Sequence, residues 1–237
     1  MKVDIGSYNR DPERYRQLVD ELYANNPSIT LPPEYASFVK DNLLRLLIRL
    51  ARYKFVARLI KKDDRVLEVG CGSGLGSIFL SQHCAHVTGL EVKTTEVEEA
   101  RGINRRENVE FVVGDLFYLE AAQKYDVVVN LDVIEHMPVE QGRKLVAAMA
   151  RHLRPTGMLV IGTPSIYSYQ YQSPLSQASH VKCYDQAELL SLIDDYFGRT
   201  LAFSMNDEVV HTGFQKMAWY YFVLALIPKD NHSDSAG

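Results

Sequence analysis

Cysteine is scarce, with three in 237 residues: Cys71, Cys84 and Cys183. They make neither a C-x-x-C pair nor an even framework, which argues against a disulfide scaffold and a structural zinc site and predicts three free thiols in a reducing compartment. Surplus charge is lacking too: 26 Lys plus Arg stand against 30 Asp plus Glu, for a net charge of -4. Nonspecific binding to phosphates or anionic membranes depends on clustered excess cations, so nucleic acid is not an expected partner. Also missing is an uninterrupted apolar run of the roughly 18 residues that suggests a membrane span. The nearest stretches are residues 43–60, broken by Arg45, Arg49, Arg52, Lys54 and Arg58, and residues 218–227, which are too few. The opening Met1-Lys2-Val3-Asp4-Ile5 has no signal-peptide core, and the cytoplasm is the expected location. What is present, 46% hydrophobic and 24% charged residues, excludes wholesale disorder and fits one elaborated α/β domain.

Before about residue 31 the chain is polar and broken by Pro12, Pro27, Pro32 and Pro33, which predicts short helices or a mobile arm. Over residues 35–60, Phe38, Leu43, Leu46, Leu47, Leu50, Phe55, Val56 and Leu59 recur at helical spacing with arginines between them, as one long helix or two. Downstream, runs rich in β-branched residues at 66–69, 86–90, 109–113, 127–131 and 158–162 alternate with helical stretches near 76–83, 95–101 and 141–153. That alternation predicts βαβ units and a parallel sheet covered on both faces. Thr95 and Glu98 suit a capping box at the second of these helices. A Tyr- and Ser-rich loop at 164–179, a helix at 185–196 and a hairpin of strands near 200–205 and 219–226 complete the pattern.

The chemistry-bearing run is Val66-Leu67-Glu68-Val69-Gly70-Cys71-Gly72-Ser73-Gly74, a buried strand entering a glycine-rich turn and then a helix. Glycines let a backbone approach a ligand and adopt conformations that a Cβ forbids. Nicotinamide and flavin proteins use similar turns, but here the third glycine misses the G-x-G-x-x-G placement, and Glu68 just ahead of the turn suits a ligand bearing an ammonium group. About twenty residues on, the next strand ends in Glu91, an acid suited to ribose hydroxyls, as it would also be in an NAD site.

The ordered set resembles the class I S-adenosylmethionine-dependent methyltransferases. Glu68-Val69-Gly70-Cys71-Gly72-Ser73-Gly74 is similar to their first motif, and Glu91 to the ribose acid. Val112-Val113-Gly114-Asp115-Leu116 is similar to the third motif, whose aspartate lies beside the adenine edge, and Tyr125-Asp126-Val127-Val128-Val129 to the fourth strand. Leu153-Arg154-Pro155-Thr156-Gly157-Met158-Leu159 is similar to L-x-P-G-G-x-L, with Thr156 in place of the first glycine. The resemblance covers residues 64–163 and implies an α/β, Rossmann-like three-layer sandwich: a seven-stranded, mostly parallel sheet with a C-terminal antiparallel hairpin, plus N-terminal helices. It implies S-adenosylmethionine as cofactor, with Glu68, Gly70, Cys71, Gly72 and Gly74 at its methionine end, Glu91 and Val92 at the ribose, Asp115 and Leu116 at the adenine, and Leu131 also against it. The expected division is a helical cap or lid at 1–62, the methyltransferase domain at 63–229 and a disordered tail at 230–237.

A second constellation follows the fourth strand. If a helical turn begins at Asp132, then Asp132, Glu135 and His136 share a face, and two carboxylates with an imidazole can hold a divalent ion such as magnesium. The run resembles the E-x-x-E-H element of ubiquinone-biosynthesis O-methyltransferases and small-RNA 2′-O-methyltransferases, where a metal sits beside the acceptor hydroxyl. Asp132 replaces the first glutamate with an arm one methylene shorter, and His180 lies where those families carry an extra histidine. Metal-independent relatives also carry E-H here, with the histidine merely near the methyl group. His136 and His180 are thus candidate general bases or, with Asp132 and Glu135, metal ligands, while His211 reads as structural. Tyr167, Tyr169 and Tyr171 either line a pocket for a sugar, quinol or other ringed acceptor or are surface-loop residues. The arginines of the 43–60 stretch read as a solvated face rather than an anion clamp.

The function these readings imply is methyl transfer to a small-molecule acceptor. Oxygen is preferred to nitrogen as the nucleophile, because a hydroxyl must lose a proton and D-x-x-E-H offers groups to take it. The rivals are a cofactor-binding module without turnover, an N-methyltransferase, an RNA 2′-O-methyltransferase, against which the acidic balance counts, and a nicotinamide oxidoreductase, against which the glycine spacing counts. The sequence carries no reading of oligomeric state.

Overall fold

A computed structural model describes residues 11–26 and 28–229, so the expected tail at 230–237 lies outside the described residues, as do residues 1–10 and 27. The chain divides into two compact units, Met1–Leu31 and Pro32–Gly237. Within the second unit, residues 48–60 pack against the sheet.

In the first unit, α1 (Pro12–Asn25) is a single helix where short helices or a mobile arm were expected. It starts where the Asp11 carboxylate accepts hydrogen bonds from the amides of Glu13 and Arg14 at 3.1 and 3.0 Å. Such a cap satisfies first-turn amides that have no partner within the helix.

The second unit opens with two helices, α2 (Pro33–Asp41) and α3 (Leu43–Ala57), separated by Asn42 in an extended conformation at φ -162°. There follow β1 (Arg65–Val69), α4 (Leu75–Leu80), β2 (His86–Glu91), α5 (Thr94–Ile103), β3 (Val109–Val113), β4 (Tyr125–Leu131), α6 (Val139–His152), β5 (Leu153–Pro164), α7 (Pro174–Ser179), α8 (Gln186–Asp194), β6 (Phe197–Asn206), β7 (Val209–His211) and β8 (Tyr220–Pro228). The sheet order is β3-β2-β1-β4-β5-β8-β6-β7. Strands β1 to β5 are parallel, and β8 runs antiparallel between β5 and β6. The described sheet thus has eight strands rather than the expected seven. The addition is three-residue β7, which folds back on β6 at the sheet edge and is too short to register as an alternating run. The expected Thr95–Glu98 capping box is absent: α5 begins one residue earlier, after Lys93, with no side-chain cap. A capping box forms instead at α8, between Asp185 and Glu188.

Alternate residues of the central strands face different helix layers, which is why these strands read as near-continuous apolar runs. Val66, Val87, Val127 and Val129 pack with Val56 of α3, Leu80 of α4 and Val97 of α5, whereas Leu67, Val128 and Ile161 pack with Met149 of α6 and Leu189 of α8. Each such fully buried side chain contributes about 1.5–3 kcal/mol relative to exposure. Strand order reverses at β1 and β4, so the loops at the carboxyl ends of these strands diverge and leave the crevice where open α/β sheets place their ligands. No described helix is long and apolar enough to cross a membrane.

Candidate functional site

The turn after β1 is a cradle with no room for a Cβ at Gly70 or Gly74. Gly70, Gly72 and Gly74 have φ of 77°, 53° and 83°, values that favour glycine. A Cβ on Gly70 would lie 2.3 Å from Val133 Cγ2, and one on Gly74 2.5 Å from Ala100 Cβ. The turn is tied to β2, since the amides of Gly70 and Cys71 donate to Leu90 O at 2.8 and 3.1 Å. The Glu91 carboxylate accepts from the amides of Gly72, Val92 and Lys93 at 3.2, 2.9 and 3.1 Å, so one side chain fixes both loops. A carboxylate has about four acceptor sites, which leaves capacity for a ribose hydroxyl. Further along, Asp115 accepts from the Phe117 amide at 2.9 Å, Leu116 and Leu131 are buried, and Val92 stands exposed at the rim.

Glu68 lies under the turn, facing the α3 and α4 layer. It is 1% exposed, and its Oε2 accepts from Ser77 Oγ at 2.5 Å. Burial pushes its carboxyl up to about 7, against the opposing effect of the Ser77 hydrogen bond. The Tyr53 hydroxyl also donates to this carboxylate, while Oε1 is buried and otherwise without a hydrogen-bond partner, an acceptor that an ammonium donor would satisfy. Positive-φ glycines, the braced Glu91 and this orphaned oxygen together fit an adenosyl ligand with an amino-acid end.

The other half of the crevice is built where β4 ends. Asp132 turns the chain in the left-handed region at φ 59°, its amide donating to Gly162 O at 3.0 Å. The helical turn expected from Asp132 begins only at Ile134, as a short 3-10 turn ending at His136. Asp132 consequently leaves the shared face and pairs with Arg52 of α3 at 2.5 Å. That guanidinium also lies over the Tyr220 ring, 4.0 Å from its centroid. Arg49, one turn earlier on α3, pairs with Glu34 of α2 at 2.5 Å. The solvated arginine face expected here is therefore half right: Arg45 and Arg58 are exposed, while Arg49 and Arg52 turn inward to carboxylates.

Of the four residues proposed to ligate a metal, the structure brings together three. Ligand atoms of Glu135, His136 and His180 all lie within 4.8 Å of one another. Donors about 2.0–2.2 Å from one divalent ion sit about 3.0–3.5 Å apart, so an ion would draw the widest pair together by about 1 Å or more. Glu135 is fully buried; its Oε2 accepts from Thr163 Oγ1 at 2.9 Å, and its Oε1 has no hydrogen-bond partner and lies 4.0 Å from His180 Nε2. Burial first, and Asp132 second, push the Glu135 carboxyl well above the usual range. Its backbone oxygen accepts from the amides of Val181 and Lys182 at 2.8 and 3.0 Å, which is how the loop after α7 delivers His180. His136 Nδ1 lies 3.0 Å from Ser179 O, which assigns the proton to Nδ1 and leaves an Nε2 lone pair on an exposed ring. The His136 and His180 rings meet edge to face at 5.0 Å, and burial with the neighbouring His136 lowers the His180 pKa. The set, from buried Glu135 to exposed His136, thus offers acceptors in want of a cation, which fits a divalent ion.

His211 hydrogen-bonds Asn206 Oδ1 at 3.1 Å within the β6–β7 hairpin, a structural position. Tyr167, Tyr169 and Tyr171 lie in a 3-10 turn after β5, all exposed. Ser77, Thr163 and Trp219 contribute to the crevice without having been singled out from sequence, whereas Arg49 and Arg52 were named there only as part of a solvated basic face. Only the i, i+3 placement of Arg49 and Arg52 beside the apolar stripe of α3 carried a signal.

Residues 66–157 match the family model described as "Methyltransferase domain". The ubiquinone biosynthesis O-methyltransferase of Rickettsia conorii is 30% identical over 163 residues, 66% of this chain and 54% of that protein. The same-named protein of Coxiella burnetii is 31% identical over 121 residues, 49% of this chain and 51% of that protein. The chain spans about half the length of these curated relatives. Among solved structures, the N-methyltransferase NodS from Bradyrhizobium japonicum in complex with S-adenosyl-L-homocysteine superposes with a TM-score of 0.59 at 17% identity, covering 77% of this chain and 88% of that one, which shows a shared fold. With the glycine cradle and Glu91 in place, residues 66–157 match a methyltransferase domain, on a fold shared with a solved N-methyltransferase.

Proposed function

We propose that the chain moves a methyl group from S-adenosylmethionine to a hydroxyl oxygen of a small molecule. S-adenosylmethionine, when bound, supplies a methyl group already activated by a positive sulfur, so the protein's tasks are alignment, exclusion of water and removal of one proton. Glu68 and the Gly70–Gly74 backbone would hold the amino-acid end, Glu91 and Val92 the ribose, Asp115 and Leu116 the adenine, with Leu131 closing against it. His136 carries the proton step. With Nδ1 engaged by Ser179 O, its Nε2 takes the acceptor's proton, and the buried Glu135 and neutral His180 hold the ring beside the end of β4.

The observation that carries oxygen over nitrogen is this proton acceptor with an assigned tautomer at the acceptor side, since an amine needs only to arrive unprotonated. The name borne by the Rickettsia and Coxiella relatives supports the same reading. The test is S-adenosylhomocysteine release across a panel of phenols, glycosides and amines. Turnover of hydroxyl acceptors is the expected result; turnover of amines alone makes it an N-methyltransferase, and tight cofactor binding without turnover makes it a binding module. A second reading, in which Glu135, His136 and His180 hold a divalent ion beside the acceptor oxygen, is favoured by their convergence. Turnover lost to EDTA and restored by magnesium assigns the cluster to a metal; undiminished turnover leaves His136 as a base alone.

A further inference from the structure

Between the turn after β5 and the segment entering β8 lies a cleft of about 330 Å³ that the proton chemistry does not use, lined by Tyr167, Ser168, Gln170, Tyr171, Lys216 and Trp219 among others. Trp219, the chain's single tryptophan, is 54% exposed and Tyr171 69% exposed. Their rings run nearly parallel, 14° apart with centroids at 6.2 Å. Two large rings held together in water present a flat apolar platform, which single scattered aromatics do not. Around it the turn reads Tyr-Ser-Tyr-Gln-Tyr-Gln over residues 167–172, flat faces interleaved with hydroxyls and amides. A long aliphatic chain would ask for a continuous apolar wall. The interleaving instead suits a ring whose face is apolar C–H and whose edge is hydroxylated, the chemistry of a pyranose. The volume, near the lower end of the roughly 300–1,000 Å³ range of small-ligand pockets, suits one or two such rings.

The cleft is tied to the acid–histidine cluster through hydrogen bonds of neighbouring residues rather than through a common lining residue. The Ser165 amide donates to Trp219 O at 2.9 Å, and Thr163, two residues earlier at the end of β5, donates to Glu135. On the other side, Gln177 Nε2 of α7 donates to Tyr169 O at 3.0 Å, and His180 directly follows α7. The segments that line the cleft are thus joined by hydrogen bonds to those that carry the acid–histidine cluster, and Lys216 adds a cation to the lining.

We propose that the acceptor is a saccharide, and that the Tyr171–Trp219 cleft holds one of its rings with an acidic substituent toward Lys216. This rests on the methyl-transfer reading for its consequence but not for its test. Trp219 emission in the full chain is followed during titration with methyl β-D-glucuronide, methyl β-D-glucopyranoside and catechol, with S-adenosylhomocysteine affinity measured by calorimetry alongside. The expected result is a saturable change with both glycosides, the glucuronide at least threefold tighter. Lys216→Ala should erase that preference, and Tyr171→Ala should weaken both glycosides about tenfold, with S-adenosylhomocysteine affinity unchanged. By saturation-transfer NMR, Trp219→Phe keeps binding and Trp219→Ala loses it. No saturable response to either glycoside, or a response to catechol alone, overturns the proposal, as does glycoside binding indifferent to Tyr171→Ala and Trp219→Ala; indifference to Lys216→Ala removes the acidic substituent. Failure of the wild-type chain to bind S-adenosylhomocysteine removes the methyl-transfer reading instead and leaves the glycoside result standing.

Discussion

The two halves of the crevice are built by opposite means. At the ends of β1 and β2, backbone amides and one carboxylate lock two loops together, and the glycines are so pressed that a single methyl group collides with Val133 or Ala100. At the ends of β4 and β5, a buried carboxylate oxygen of Glu135 and a buried ring nitrogen of His180 lack partners, and Tyr171 and Trp219 stand open to water. A site for one invariant ligand gains from being preformed, because little ordering remains to be done on binding. The half proposed to receive the acceptor retains unsatisfied groups and exposed rings, so on that reading partner choice can change there without disturbing the other half. Glu68 is the exception on the preformed side, since its Oε1 is also without a partner.

This contrast predicts separable defects. His136→Ala should cut turnover most, about 10²–10⁴-fold as for loss of a general base, with S-adenosylhomocysteine affinity within twofold of wild type by calorimetry; a matching loss of affinity would break the division. Gly70→Ala should do the reverse, weakening the same ligand about 100-fold, because overpacking and left-handed strain together cost roughly 3 kcal/mol. Glu91→Ala should weaken it about tenfold by releasing the hydrogen bonds that charged acceptors make at roughly 1.5–3 kcal/mol each, part of which water replaces.

The smallest effect is on stability against pH. The Glu68 carboxyl is raised to about 7 in the folded chain from an ordinary value of 4.5. The folded state then holds the proton more tightly than the unfolded one. Its contribution to stability is full below about pH 4.5 and is lost as pH rises through about 7, with a slope approaching about 1 kcal/mol per pH unit between. Urea denaturation of Glu68→Gln at about pH 5, 6 and 7 should show a flatter dependence than wild type, with Glu135 keeping a residue of the slope in the variant. An unchanged slope would mean that Glu68 is ionised in the fold.

Much of the preformed half was legible in the sequence because its requirements are local. Glycines at 70, 72 and 74 and an acid at the end of the next strand are set by backbone geometry within a few residues, and the parallel strands carry their own apolar pattern. The acceptor half depends on residues distant in the chain. Asp132 was grouped with Glu135 and His136 on helical spacing, yet one left-handed residue displaces the turn and hands Asp132 to Arg52, 80 positions earlier. Nor could spacing show that Trp219 meets Tyr171, because that contact needs β8 to lie antiparallel beside β5. The charge of α3 misled for a related reason: Arg49 and Arg52 face inward only because Glu34 and Asp132 wait there.

The placement of β8 has a consequence for assembly. It is the last described strand in the chain, yet it occupies an interior seat, hydrogen-bonded to β5 on one side and β6 on the other. During synthesis the earlier βα units can collapse together as they emerge, but β6 and its hairpin partner have no edge to join until residues 220–228 have left the ribosome. A nascent chain stalled before that point would expose two unpaired strand edges at once, the condition most prone to aggregation, so chaperone dependence of this protein should concentrate in its final stretch of translation.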